Sequence, residues 1–120
     1  MASSVKFKLS AVSSSVGADK MDFTVEKLVS VTEPLSNMAK VSVATGADSV
    51  VLGTSNVQSY VYVRNTDTTT YVTIKNNADN TLAIVRAGEF ALFPVAASAG
   101  VELRADTAAC IVEYGYWAVA

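Results

Sequence analysis

The side chains best suited to acid or base chemistry are three glutamates in the second half of the chain, Glu89, Glu102 and Glu113. Two carboxyl groups held close together form the acid/base pair of many glycoside hydrolases. Each of these glutamates, however, falls in a stretch predicted as a strand, beside a basic or polar neighbour, which is typical of a solvated sheet face. We therefore expect no catalytic pair and no enzyme.

The residues needed for other kinds of catalysis and for metal binding are also scarce. Histidine, the commonest general base and metal ligand, is absent, and no serine lies in a G-x-S-x-G elbow. The single cysteine, Cys110, sits in an apolar run and is expected to be a buried thiol, whereas a zinc site needs several such ligands. The oxygen-rich stretch at residues 76–80 holds one carboxylate and is interpreted as a turn rather than a calcium site. We predict no metal and no cofactor.

Length and composition point to one domain that is partly covered by partners. A chain of 120 residues buries a core without disulfides, so residues 1–120 are expected to form a single domain. Nine basic residues spread thinly, with a net charge of −2, argue against nucleic-acid binding. Charged residues make up 17% of the chain, below the usual share of about a quarter, which indicates surface covered by other proteins. No secretory or membrane-spanning segment is visible, so we expect synthesis in the cytosol and no membrane partner.

The predicted fold centres on residues 57–76. Valine and isoleucine alternate there with tyrosine and charged residues on both sides of a polar turn, which is the period of half-buried strands. We predict a hairpin with its aliphatic face in a core. The opposite face carries Tyr60, Tyr62 and Tyr71, an aromatic strip suited to a protein interface, to sugar stacking or to ordinary cross-strand pairing.

Short alternating segments recur along the rest of the chain. Residues 5–11 predict a strand with Val5, Phe7 and Leu9 on one face, and a Ser-rich break makes residues 1–20 an arm that is flexible or ordered by a partner. Residues 22–31 fit helical spacing as well as alternation, and their valines favour a strand. Further strands are predicted at residues 40–44, 49–52, 81–86, 89–94, 101–104 and 108–119, with a connector at 33–39 that has room for one helical turn.

Eight to ten short strands with little or no helix predict an all-β protein, an antiparallel β-sandwich of jelly-roll or immunoglobulin-like Greek-key type. Pro94 lacks a backbone donor and marks a strand end or sheet edge. The last strand is apolar on both faces, so it is expected in the centre of a sheet or against a neighbouring chain.

Several of these segments together resemble the small virion proteins of tailed bacteriophages. The resemblance lies in Tyr60-Val61-Tyr62-Val63-Arg64-Asn65, Tyr71-Val72-Thr73-Ile74, Ala87-Gly88-Glu89, Phe93-Pro94 and Glu113-Tyr114. It covers residues 57–119, with Ala87 where the pattern has proline, and residues 1–55 carry no part of it.

The resemblance implies a virion structural protein made in the host cytoplasm. It is most like a capsid decoration or cement protein that binds and stabilises the assembled shell, and tail, neck or fibre components are the near alternative. The implied partners are the major capsid protein or other virion proteins, together with further copies of the chain, a trimer being favoured. The expected interface anchors are Tyr60, Tyr62, Tyr71 and Trp117. A carbohydrate- or ligand-binding β-sandwich module is the alternative from another class.

Overall fold

The computed structural model describes residues 3–12, 22–32, 38–53 and 57–119. These residues form ten strands and no helix, and every strand pairing is antiparallel, which confirms the predicted all-β class. The strands are β1 (Ser3–Val12), β2 (Asp22–Thr32), β3 (Ala39–Val43), β4 (Ser49–Leu52), β5 (Ser59–Asn65), β6 (Val72–Lys75), β7 (Thr81–Val85), β8 (Phe90–Val95), β9 (Val101–Ala105) and β10 (Cys110–Val119).

The strands form two sheets of unequal size. The larger sheet has the order β1-β2-β10-β5-β8, with β3 also paired to β10, and the smaller has the order β4-β9-β6-β7. Strand β10 lies between β5 on one side and both β3 and the end of β2 on the other, so the predicted central position of the last strand is confirmed. Within the described residues β8 pairs only with β5, which confirms that Pro94 lies at a sheet edge.

The core lies between the inner faces of the two sheets. The larger sheet contributes Val61, Val63 and Val112, the smaller contributes Ile74 and Leu103, and none of these side chains is more than 1% exposed. The alternation in residues 57–76 therefore identified the inner faces of β5 and β6 correctly. Burial of each such side chain contributes about 1.5–3 kcal/mol to stability.

The predicted hairpin at residues 57–76 is wrong, because β5 and β6 belong to different sheets. The buried side chain of Asn65 holds the connection between them: its Nδ2 donates to the carbonyls of Thr70 at 2.8 Å and Val85 at 3.1 Å, and its Oδ1 accepts from Asp67 N at 3.0 Å. The Asp67 Oδ2 then accepts from Thr70 N at 2.7 Å. These bonds steer the chain from one sheet to the other instead of back along β5.

Strands β1 and β2 form a long two-stranded ribbon. This ribbon is called the arm below, and it differs from the predicted arm at residues 1–20 because it includes β2. They pair from Ser3↔Val31 to Val12↔Asp22, whereas β2 joins the rest of the sheet through Thr32 and Val31 opposite Ala118 and Val119. The chain's radius of gyration is 15.7 Å, above the about 14 Å expected for a compact domain of this length.

Two predictions fall partly outside the described residues. Of the predicted arm at residues 1–20, residues 3–12 form β1 and pair within the chain, while residues 1–2 and 13–20 lie outside the described part. The predicted connector with room for a helical turn lies outside it at residues 33–37. Across the described ranges, no helix has the length and apolarity that a membrane crossing requires.

Candidate protein-interaction surfaces

Three of the four predicted anchors share the outer face of the larger sheet. Tyr60 lies opposite Trp117 across β5 and β10, and Tyr62, two residues on, lies opposite Gly115. Facing partners in an antiparallel pair project to the same side, so these side chains are neighbours. Tyr71, the fourth anchor, precedes β6 in the smaller sheet and hydrogen-bonds to Asp106, which raises the pKa of its phenol.

Strand β8 extends this outer face with apolar side chains. In the β5–β8 pairing, Tyr62 lies opposite Leu92 and Arg64 lies opposite Phe90. Phe90 is 66% exposed and Leu92 is 38% exposed. Tyr60, Tyr62, Phe90, Leu92 and Trp117 together are called the outer aromatic face.

The arm covers one end of the outer aromatic face. The Phe7 ring stacks on Tyr60 with centroids 4.8 Å apart, and it meets Trp117 edge-on at 5.3 Å. Val29 and Val31, on the same side of the arm as Phe7, are buried but lie outside the main core cluster. Tyr60 and Trp117 therefore already have partners within the chain, and the Tyr62 end of the face is the freer one.

A shallow polar cavity adjoins Tyr62. It measures about 390 Å³ and is lined by Tyr62, Arg64, Gly88 and Phe90. The Tyr62 hydroxyl donates to Glu113 Oε1 at 3.4 Å. Partial burial raises the pKa of Tyr62, the Glu113 carboxylate adds to the rise, and the Arg64 guanidinium opposes it. Tyr62 is thus a neutral hydrogen-bonding group at physiological pH.

The arm has a second apolar area that nothing in the described residues covers. Leu9, Phe23 and Val25 lie on the same side as Phe7 but farther from the sandwich, and they are 51%, 42% and 58% exposed. The other side is mostly polar apart from the exposed Leu28 and Val12, and there Glu26 pairs with Lys6 at 3.5 Å and with Lys8 at 3.7 Å. The arm is therefore amphipathic, with its apolar side free near the tip.

An apolar groove opens on the side of the sandwich where β7 and β8 end the two sheets. It measures about 250 Å³ and is called the side groove; its lining residues are Ile74, Leu82, Ala83, Ala91 and Phe93. The lining has almost no polar atoms, and Leu82 is 57% exposed. The side groove is a recess suited to apolar side chains.

The three candidate acid/base glutamates are not brought together. Glu113 faces outward from the larger sheet, while Glu102, in β9, faces outward from the smaller one, opposite Lys75. Glu89 precedes β8, and its Oε1 accepts a hydrogen bond from Arg86 N at 2.9 Å. No two of these carboxyl groups form a pair in this arrangement.

The charged residues beside the turn at residues 76–80 form a cluster of ion pairs. Lys75 is only 7% exposed, and it forms ion pairs with Asp79 and, at 3.6 Å, with Asp48. Arg104 Nε lies 2.8 Å from Asp48 Oδ1 but is not aligned for a hydrogen bond with it. The hydrogen bond from Lys75 lowers the pKa of Asp79. Asn76 Oδ1 accepts from Ala78 N and Asn80 N, as the predicted turn requires.

The described part of the chain contains no cluster of metal ligands, and its cysteine is buried. No group of three or more His, Cys, Asp or Glu residues is placed there to hold a metal ion. Cys110 is buried, as predicted, and burial raises the pKa of its thiol, which keeps it protonated and unreactive.

The four predicted anchors do not include the apolar residues that dominate these surfaces. Phe90 and Leu92 alternate with Ala91 and Phe93 in a strand ending near Pro94, so the edge-strand signal together with outward phenylalanine and leucine would have found them. The side groove had no such signal, because it forms between two strands of different sheets.

Comparison with known protein families, with curated proteins and with solved structures finds no match to this chain.

Proposed function

We propose that this protein is a virion structural protein, a decoration or cement protein that binds the assembled shell of a tailed bacteriophage and stabilises it. Binding to the shell but not to free shell subunits favours the assembled state by mass action. Many copies then add modest interface energies to one particle. The major capsid protein is the proposed partner.

The observation that carries this proposal is the outer aromatic face. Its free end offers Tyr62, Phe90 and Leu92 on the outer side of the larger sheet, with the charged groups of Arg64 and Glu113 beside them. Aromatic side chains combined with arginine at a polar margin are the composition enriched in protein interfaces.

Co-sedimentation with expanded, undecorated phage shells tests the proposal. The double variant Tyr62→Ser/Phe90→Ser removes two aromatic side chains from the free end of the face, and we expect it to lose sedimentation with shells. Ile84→Ser is the matched control, because Ile84 is 53% exposed and lies opposite Thr73 on the other sheet, so it should sediment like the unchanged protein.

The proposal fails if the unchanged protein stays in the supernatant, or if the double variant keeps its circular dichroism spectrum and still pellets with shells. Tails purified from the same phage form a second arm of the experiment. Pelleting with tails but not with shells would assign the protein to the tail, neck or fibre instead.

A second candidate function rests on the cavity beside Tyr62. The half-buried ring of Tyr62, with Arg64 and Glu113 nearby, offers the stacking surface and charged hydrogen-bonding groups typical of sugar sites. Glycan-array binding that disappears in Tyr62→Ser and in Arg64→Ala, without any binding to shells or tails, would favour a carbohydrate-binding module.

A further inference from the structure

We propose that the protein associates head to tail with further copies of itself, and that the apolar side of the arm from one copy packs into the side groove of the next. This deepens the proposed function and rests on it only in assigning the protein to an assembly. The two contact surfaces are distinct from the free end of the outer aromatic face.

The arm supplies the first surface. Leu9, Phe23 and Val25 project from the same side of a two-stranded ribbon and remain about half exposed. Lys27 is the charged residue on that side, and the opposite side carries the ion pairs of Glu26. Isolated two-stranded ribbons are marginally stable in water, so an amphipathic one gains stability when its apolar side is covered.

The side groove supplies the second surface. It is a recess lined by Leu82, Ala83 and Phe93 with very little polar surface. Strands β7 and β8 border it, and within the described residues each pairs on one side only. The backbone groups along those open sides are available to an approaching strand, as at any uncovered sheet edge.

The occupant is a second copy because the chain carries both surfaces, one protruding and one recessed. In the larger sheet β1 lies at one end of the strand order and β8 at the other. A head-to-tail contact covers one arm and one groove at a time. When the same contact is repeated around a closed ring, every arm and every groove is covered. Heterologous contacts of this kind close into rings when the rotation between copies permits.

Sedimentation-velocity ultracentrifugation of the full chain, over a range of concentrations and without shells, tests the inference. We expect reversible association of the unchanged protein. Leu9→Ser/Val25→Ser in the arm and Leu82→Ser in the groove should each weaken association by roughly tenfold or more, since apolar side chains are lost from the contact.

Each variant has a control at an exposed apolar side chain outside the proposed contact. Leu28→Ser changes a side chain that is 63% exposed on the mostly polar side of the arm, and Ile84→Ser changes one that is 53% exposed, lies opposite Thr73 and does not line the side groove. Both controls should associate like the unchanged protein. Thermal unfolding followed by circular dichroism shows that every variant compared is folded.

Mixing the arm variant with the groove variant gives the sharpest result. At a concentration where the unchanged protein associates and the weakened variants do not, each variant is monomeric alone, yet one retains an intact groove and the other an intact arm. A 1:1 mixture should therefore form a heterodimer and nothing larger. Absence of that heterodimer overturns the inference, as does an unchanged protein that is monomeric up to its solubility limit.

The two proposals fail separately. A monomer that still pellets with shells overturns self-association and leaves the proposed function intact. If the arm variant associates normally but no longer pellets with shells, the arm covers a shell protein and not a second copy. If self-association follows the predicted pattern in a protein that ignores shells, the inference holds and the shell proposal fails.

Discussion

The arm and the sandwich have the same alternating sequence pattern but very different burial. In the sandwich the apolar side of each central strand is covered, and Val63 and Leu103 are fully buried. In the arm the apolar side is covered only near its base, at Val29 and Val31, and Val25 is 58% exposed. Alternation therefore identifies an apolar face, but it does not show whether residues of the same chain pack against that face. The following predictions test that difference.

The largest effect is expected from a matched pair of leucine truncations. Leu103→Ala in β9 creates a cavity in the core and should lower the free energy of unfolding by about 2–5 kcal/mol. Leu9→Ala in the arm, at a side chain 51% exposed, should change it by less than about 0.5 kcal/mol. Urea denaturation at neutral pH measures both. Equal losses would show that the arm belongs to the same cooperative core as the sandwich.

A smaller but still large loss is expected at the crossing between the sheets. Asn65→Ala leaves the carbonyls of Thr70 and Val85 without their side-chain donor in a buried site, which should cost about 2–3 kcal/mol. Asn77→Ala, in an exposed turn, is the control and should be near neutral. The same urea titration applies, and a neutral Asn65→Ala would mean that the crossing is held by other contacts.

Phe7→Ala tests how the arm is attached. The loss of its ring contacts with Tyr60 and Trp117 should cost about 1 kcal/mol. Trp117 is the only tryptophan, so its fluorescence reports directly on the contact and should shift to longer wavelength in the folded variant. Leu9→Ala should leave the emission unchanged. An unshifted spectrum in Phe7→Ala would show that the arm does not shield Trp117 in solution.

The smallest effect is a pH dependence in the crossing. Hydrogen bonds from the backbone of Thr70 and Thr69 lower the pKa of Asp67 below its usual value. Because the folded-state pKa is the lower one, the ionised carboxylate stabilises the fold fully above the unfolded pKa, near 4, and this contribution disappears as the pH falls through the folded pKa. The stability difference between the unchanged protein and Asp67→Asn should therefore be larger at pH 5 than at pH 2 in chemical denaturation. A difference independent of pH would contradict the assignment.

The sequence by itself determined the all-β class, the position of most strands and the inner faces of β5 and β6, because these follow from local alternation and turn residues. The absence of histidine and the single cysteine narrow the side chains that could act as a general base or a soft metal ligand. The buried Cys110 and the edge position of Pro94 followed from the same local reasoning.

Only the tertiary structure decided which strands are neighbours. The polar turn after β5 looks the same in the sequence whether the chain folds back or crosses to the other sheet, and the bonds from Asn65 to Val85, 20 residues away, fix the crossing. That crossing separates Tyr71 from Tyr60, Tyr62 and Trp117 and forms the side groove between β7 and β8. Local patterns specify which side of a strand is apolar, but long-range pairing specifies what lies against that side. At the tip of the arm, no residue in the described part of the chain lies against the apolar side.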